Sequence, residues 1–163
     1  MEDKRNESIA KLKELLEGID FAMLTTISGG RLRSRPMSTQ EMDEKGDLWF
    51  FSNDDTHKVD EIEADNRVNV AHSQPDDNTY VSVSGRAEVV KDEEKIQELW
   101  SPIHKAWFPE GPDDPHLCLL RISVEEAEYW DASDSKLVQL VGFVKALATG
   151  QEADYGEYGK IEL

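Results

Sequence analysis

Three arginines, Arg31, Arg33 and Arg35, stand at alternate positions of one segment in a chain that is otherwise strongly acidic. If this segment is a strand, side chains at positions i, i+2 and i+4 share one face of its sheet. Three guanidinium groups on one face repel one another unless water or carboxylates surround them. For Arg31 and Arg33, surface pairing with Asp or Glu is the favoured interpretation. Arg35 is instead a candidate anion ligand, because of the residues that follow a later strand.

Those residues are Ser52, which ends an aromatic strand, and Thr56, His57 and Lys58, which open a short helix. The N-terminus of a helix offers unpaired backbone N–H groups and a partial positive charge. Thr56 would add a hydroxyl donor and Lys58 a full charge. Together with Arg35, these groups would make a site for a phosphate dianion. Simpler alternatives stay open: Thr56 is also a common N-cap, and His57 and Lys58 could be solvent-exposed.

The strength of such a phosphate site limits what it could hold. Charge-assisted hydrogen bonds contribute roughly 1.5–3 kcal/mol each, so two or three would give on the order of 4–8 kcal/mol. Micromolar affinity needs about 8 kcal/mol. The phosphate alone would be a marginal anchor, and a flat aromatic ring system would have to supply the remainder.

Composition narrows the classes of partner. The chain has 35 acidic residues against 18 basic ones and a net charge of −17, which repels nucleic acid and anionic membranes. The single cysteine, Cys118, lies in an apolar run and is expected to be a small buried hydrophobe. The N-terminus lacks a signal-peptide core and no apolar run is long enough to cross a bilayer, so a cytoplasmic location is expected.

Several common site motifs are absent from the sequence. There is no GxGxxG, no GxxxxGK[ST] and no GxSxG, and the four histidines lack metal-binding spacing. We therefore expect no metal site, and no acid–base pair can be nominated as catalytic.

The elements that would position the cations are mainly strands. Short segments of alternating or β-branched residues recur between turn signals, and they pair in sequence without long helical crossovers. The strands are expected over 21–28, 31–42, 48–52, 67–73, 79–90, 117–122 and 127–131. Gly29-Gly30 predicts a hairpin turn, Pro36 an edge strand or bulge, and Gly85 a bulge. Closure into a small barrel would remove the exposed strand edges.

The expected architecture is thus one mainly β (α+β) domain over 1–163, with six or seven antiparallel strands and peripheral helices. An N-terminal helix is expected within 1–18, from the apolar spacing over 6–17. A further helix over 136–147 is apolar on most faces, which predicts that it is buried. Residues 150–163 are an acidic tail, expected to be mobile apart from its last few residues.

Several segments in order resemble one family. They are Ser34-Arg35-Pro36-Met37, Trp49-Phe50-Phe51-Ser52-Asn53, Thr56-His57-Lys58, Tyr80–Ala87, Ala106–Pro115 and Ala127-Glu128-Tyr129-Trp130. Together these motifs resemble the FMN-binding split β-barrels related to pyridoxamine 5′-phosphate oxidase, and more closely the bacterial general stress protein subgroup. The similarity spans about residues 8–150.

The resemblance implies a homodimer with FMN at the subunit interface. By motif position, Arg35 and Lys58 would bind the phosphate, with Ser52 and Thr56 donating hydrogen bonds. Where the oxidase pattern has Arg, this chain has His57, which would weaken the phosphate contact or make it pH-sensitive.

The same resemblance implies contacts to the flavin ring. Met37, Ser38 and Thr39 would run beside the isoalloxazine, and Phe51 would pack near it. Trp130 matches a tryptophan that reaches the flavin from the other subunit, and Trp107 is a candidate second wall.

One departure concerns the reaction. The oxidase follows its tryptophan with an Arg-x-His signature that holds the pyridoxal substrate, whereas this chain has Asp131–Lys136. We therefore expect an FMN-dependent oxidoreductase of another substrate. The alternatives are a non-catalytic flavin-binding or sensor module, and a split barrel that binds another cofactor, such as a deazaflavin or haem.

Overall fold

The structure is a computed structural model, and it describes residues 1–38, 42–132, 144–150 and 157–163. The helices are α1 (Glu2–Leu16), α2 (His57–Ala64), α3 (Glu93–Leu99) and a 3-10 helix (Pro102–Ala106). The strands are β1 (Phe21–Ser28), β2 (Arg31–Ser38), β3 (Asp47–Asn53), β4 (Arg67–Gln74), β5 (Thr79–Val90), β6 (Leu117–Asp131) and β7 (Glu157–Glu162). No helix among these residues is both long and apolar enough to cross a membrane.

The described strands form one antiparallel sheet in the order β2-β1-β4-β5-β6-β3. Strand β6 pairs with β5 along one edge and divides its other edge between β3 and β7. Strands β2 and β3, at opposite ends of the order, also contact each other, so the sheet curls towards closure. The mainly β, seven-stranded antiparallel architecture predicted from the sequence is confirmed.

Strand β6 differs from the prediction, which divided it into two strands over 117–122 and 127–131. The polar stretch between them looks like a turn in sequence, yet it continues the alternation of a strand: Val124 is buried, while Ser123 and Glu125 are exposed. The pairing shifts between Ser84 and Gly85, which confirms the predicted bulge. Because a Cβ at Gly85 would lie 2.2 Å from the Ser123 carbonyl oxygen, only glycine fits there.

The main core lies inside the curled sheet and under α1. The outward strand positions are mostly polar or exposed, apart from Trp49, Phe51, Leu117 and Leu119, which form a second buried cluster, and the inward positions that face the main core are mostly apolar. Its largest fully buried side chains include Leu12, Leu24, Leu48, Phe50, Leu120 and Ile122. Helix α1 begins at Glu2 rather than near residue 6, since acidic residues in the first turn favour the positive end of the helix.

Two expectations concern the C-terminal end of the chain. Residues 144–149 are helical, but Val144 and Leu147 are exposed, so the prediction of a buried helix is wrong for this part. Its first part, 136–143, lies outside the described residues. Glu157–Glu162 pairs with β6, which agrees with the exception made for the last few residues of the tail.

Candidate functional site

Arg35 lies in the middle of β2, and its guanidinium group contacts two side chains. Nη1 donates a hydrogen bond of 2.7 Å to Thr26 Oγ1 of β1, and Nη2 donates one of 2.9 Å to Glu61 Oε2 of α2. Since the Arg35 side chain is 20% exposed, it is largely enclosed but keeps a route to solvent. The register of β1 and β2 pairs Arg35 with Leu24, on the face that carries the main core.

Glu61 is the acidic centre of this group and is only 8% exposed. Its Oε2 also accepts a hydrogen bond of 2.5 Å from Thr26 Oγ1, and its Oε1 accepts one of 3.0 Å from Arg33 Nη1. Burial alone would raise the pKa of Glu61, but the Thr26 hydrogen bond and the charges of Arg35 and Arg33 outweigh burial and lower it. Glu61 is therefore a buried carboxylate held in its charged form.

The predicted acid pairing holds for Arg33, which reaches Glu61. Arg31 is exposed at the start of β2. Sequence reasoning missed Thr26 and Glu61. A signal existed for Thr26, because the alternation of Ala22 and Leu24 continues to it on the buried face of β1.

Lys58 lies in the first turn of α2 and is half-buried. Burial lowers its pKa, and the positive charge of Arg35 lowers it further. The two cations are thus close enough to repel each other. An anion placed between them would relieve this repulsion and favour the charged form of Lys58.

Thr56 precedes α2 in extended conformation, but its side chain does not cap the helix. Its Oγ1 donates instead to the Asn53 carbonyl oxygen at 2.9 Å, so the simple N-cap interpretation is wrong. The Thr56 hydroxyl therefore caps none of the N–H groups in the first turn of α2, although the Val59 N–H donates to the Thr56 carbonyl oxygen at 3.1 Å. These groups and the side chain of Lys58 occupy the same helix end.

Ser52 is buried at the end of β3, and its Oγ also donates to the Asn53 carbonyl oxygen, at 3.4 Å. Ser52 pairs with Cys118 of the neighbouring strand β6, and the positive charge of Lys58 acts on the Cys118 thiol. Burial raises the pKa of Cys118 to about 11, so the thiol is neutral, as its predicted role as a buried hydrophobe requires. The charge of Lys58 is thus linked electrostatically both to Arg35 and to Cys118, the residue that pairs with Ser52.

The other predicted site residues are distributed around this group. His57 is exposed at the start of α2. Met37 is buried against the core, Ser38 is half-buried, and Thr39 lies outside the described residues. Met37 is two positions from Arg35 on the same face of β2, as the prediction of neighbouring roles requires.

Phe51 faces away from the cationic group. Consecutive strand residues point to opposite sides, so Phe51 and Ser52 lie on different faces of β3. The ring of Phe51 packs against His104, Trp100 and Phe108, at centroid distances of 4.8, 5.7 and 6.1 Å. Within the described residues, the structure does not join Phe51 to the phosphate-binding candidates.

The two predicted tryptophans are both on the surface. Trp107 follows the 3-10 helix, is 49% exposed and makes an edge contact with Phe21. Trp130 lies in β6, is 44% exposed and packs beside Tyr158 of β7. Tyr80 pairs with Trp130 on the other side, so Tyr80, Trp130 and Tyr158 form a row of exposed aromatic rings across three strands.

Comparison with known proteins gives a consistent assignment. General stress protein 26 of Bacillus subtilis is 27% identical over 133 residues, covering 80% of this chain and 93% of that protein. A crystal structure from Jannaschia sp. CCS1, of a protein named as a general stress protein 26, superposes with a TM-score of 0.76 at 27% identity, with all of both chains covered.

A second crystal structure is that of the general stress FMN/FAD binding protein from Xanthomonas citri. It superposes with a TM-score of 0.66 at 27% identity, covering 83% of this chain and 93% of that one. The predicted split-barrel fold and the resemblance to general stress proteins are confirmed. The family model described as "Pyridoxamine 5'-phosphate oxidase like" matches residues 7–154, and the chain belongs to that family.

Proposed function

We propose that this protein binds FMN and serves as an FMN-dependent oxidoreductase. The observation that carries the proposal is a pair of cations, the largely enclosed Arg35 and the half-buried Lys58 in the first turn of α2, with the charge of Arg35 lowering the Lys58 pKa. Two half-enclosed cations and a set of N–H groups favour a doubly charged phosphate over a neutral ligand. The FMN/FAD binding of the Xanthomonas citri relative supports a flavin as the rest of the ligand.

In this proposal the protein positions the flavin and the flavin supplies redox chemistry by hydride or electron transfer. Arg35 and Lys58 would hold the phosphate. Ser52 and Thr56, whose hydroxyls now donate to the Asn53 carbonyl oxygen, would rotate to donate to the phosphate instead. The exposed His57 would lie at the edge of the phosphate site. Met37, Ser38 and Thr39 line the ring edge. We assign no side chain an acid–base role.

The substrate is proposed to differ from pyridoxamine phosphate. The oxidase signature that would hold it is replaced by the segment that begins at Asp131. The carboxylate of Asp131 accepts a hydrogen bond of 3.0 Å from Thr79 Oγ1, so it supports the end of β6. A carboxylate at this place would repel a phosphorylated substrate.

We further propose that two chains form a homodimer, with Trp130 and Trp107 completing the flavin sites. The exposed aromatic row of Tyr80, Trp130 and Tyr158 supports this proposal, because large exposed apolar patches are typical of interfaces. A non-catalytic flavin-binding or sensor module is the second candidate, since it would use the same phosphate contacts without an electron acceptor.

Substitution of the two cations tests the phosphate site. Arg35→Ala and Lys58→Ala should each weaken FMN binding about 10- to 100-fold, because each removes a charge-assisted hydrogen bond worth about 1.5–3 kcal/mol. Quenching of flavin fluorescence during titration measures the dissociation constant. Arg31→Ala is the matched control, since Arg31 is an exposed arginine of the same strand.

Unchanged FMN affinity in both Ala variants would refute the phosphate site. If FMN binds as proposed but its reduced form passes electrons to no acceptor offered, the non-catalytic candidate replaces the oxidoreductase.

A further inference from the structure

Arg35, Thr26 and Glu61 form a closed ring of three hydrogen bonds. Arg35 Nη1 donates to Thr26 Oγ1 (2.7 Å), Thr26 Oγ1 donates to Glu61 Oε2 (2.5 Å), and Arg35 Nη2 donates to the same Oε2 (2.9 Å). The three residues come from β2, β1 and α2. The ring therefore ties the arginine to two other elements and fixes the plane of its guanidinium group.

A carboxylate beside a phosphate site needs a physical reason, because it repels the ligand. Two cations, Arg33 and Arg35, contact this carboxylate, and Arg35 also acts electrostatically on Lys58. The carboxylate and its two guanidinium partners therefore keep a net charge of about +1, which still attracts an anion. Glu61 thus limits the mutual repulsion of the cations before a ligand arrives.

Thr26 has no direct access to a ligand, since its side chain is fully buried. It carries no charge, so any influence on an anion must pass through the groups it touches. Its hydroxyl is the one atom of the ring that both accepts from Arg35 and donates to Glu61. Removing this hydroxyl would leave the charges in place but hold the guanidinium group less tightly, through Glu61 and the longer hydrogen bond of 3.5 Å to the Leu24 carbonyl oxygen.

We propose that Thr26 and Glu61 are positioning residues that orient Arg35 for the flavin phosphate and so determine the preference for FMN over riboflavin; this inference rests on the proposed function. A preorganised arginine loses less side-chain entropy on binding than a mobile one. Riboflavin lacks the phosphate, so its binding does not depend on the orientation of Arg35.

The test compares variants at two neighbouring threonines. Thr26→Val removes the ring hydroxyl at nearly constant shape and charge, and Thr26→Ser keeps it. Thr25→Val is the matched control, because the Thr25 hydroxyl lies on the other face of β1 and contacts Ser34 Oγ. Each protein is titrated with FMN and with riboflavin, and the ratio of the two dissociation constants is measured by fluorescence quenching.

Thr26→Val should weaken FMN binding about three- to tenfold, as expected when one arginine side chain has to be ordered on binding, and change riboflavin binding by less than about twofold. Thr26→Ser and Thr25→Val should keep the wild-type ratio. Should Thr26→Val fail to fold, Thr26→Ala carries the same expectation.

Equal weakening of both flavins by Thr26→Val would show a structural role only and overturn the inference, as would an unchanged ratio. A wild-type protein that binds FMN no better than riboflavin would also overturn it. A wild-type protein that binds neither flavin would refute the proposed function itself, and this inference with it.

Discussion

At the scale of single residues, some buried polar side chains have hydrogen-bond partners among the described residues and others have none. Glu61 is buried with three hydrogen-bond donors around it, and its pKa is lowered. His72 on β4 is only 1% exposed, and neither ring nitrogen has a hydrogen-bond partner among the described residues. The first group is stabilised in its charged form and the second in its neutral form.

His72 predicts how stability depends on pH. Burial lowers the pKa of His72 from 6.5 to about 4, so below pH 6.5 the unfolded chain binds a proton that the folded chain does not. Its contribution to stability is therefore present above pH 6.5 and is lost as the pH falls towards 4. This single group should remove about 2 kcal/mol from the free energy of unfolding between pH 7 and pH 5.

Urea unfolding of the wild type and of His72→Leu at the two pH values checks this prediction. His104, whose pKa is also lowered by burial, contributes to both proteins and cancels in the comparison. The wild type should lose about 2 kcal/mol more than the variant. An equal loss in the two proteins would mean that His72 is already protonated or solvated in the folded state.

At the scale of elements, the bulge in β5 and β6 depends on a glycine. Gly85→Ala should lower the free energy of unfolding by about 1–3 kcal/mol, because the new Cβ would collide with the Ser123 backbone of the paired strand. Denaturant unfolding measures the change. Ser84→Ala is the matched control, since Ser84 is exposed, and it should shift stability by less than about 0.5 kcal/mol.

A Gly85→Ala protein as stable as the control would show that the two strands can separate at this point without cost. In that case β5 and β6 would not need the close approach of Gly85 to Ser123 in order to pair on both sides of the bulge.

The sequence predicted elements well where the signal is local. The bounds of β1 (Phe21–Ser28) and β5 (Thr79–Val90) match the prediction, because alternation and turn glycines set them. Gly29 and Gly30, with φ of 55° and 78°, adopt the left-handed conformation that the hairpin turn requires. Pro36 lies in β2, at the end of the strand order, which agrees with the edge position predicted for it.

Features that depend on distant pairing were missed. Strand β6 is continuous because β3 and β7 share its edge, and no local pattern reports a shared edge. The contact of Arg35 with Glu61 joins residues 26 positions apart, so the sequence identified the arginine but not its acidic partner. Phe51 packs in a second cluster with Ile96 and Leu117, and its predicted place near the cofactor stays a prediction.

At the scale of the whole molecule, the acidic surface and the exposed aromatic face act in opposite directions. Each chain carries a net charge of −17, so two chains repel each other. Burial of the row of Tyr80, Trp130 and Tyr158 would favour their association. Because salt screens the repulsion but leaves apolar contacts in place, the proposed dimer should be stabilised by salt.

Analytical ultracentrifugation at low and moderate salt checks the proposed dimer. A mass of twice that of the chain is expected, with dissociation favoured at low salt. Tyr80→Glu should weaken the dimer, whereas Arg31→Glu, on exposed β2, is a charge-changing control for a residue outside the aromatic row. A monomer at tens of micromolar protein under all conditions, with and without FMN, would contradict the dimer.

Titration of FMN into the flavin-free wild-type protein, followed by isothermal calorimetry with riboflavin as the comparison ligand, tests the central claim most directly. Phosphate contacts from Arg35 and Lys58, together with contacts to the flavin ring, predict micromolar or tighter binding of FMN, with riboflavin at least about tenfold weaker because it lacks the phosphate. Absence of FMN binding, or equal affinity for the two flavins, would contradict a phosphate site at Arg35 and Lys58.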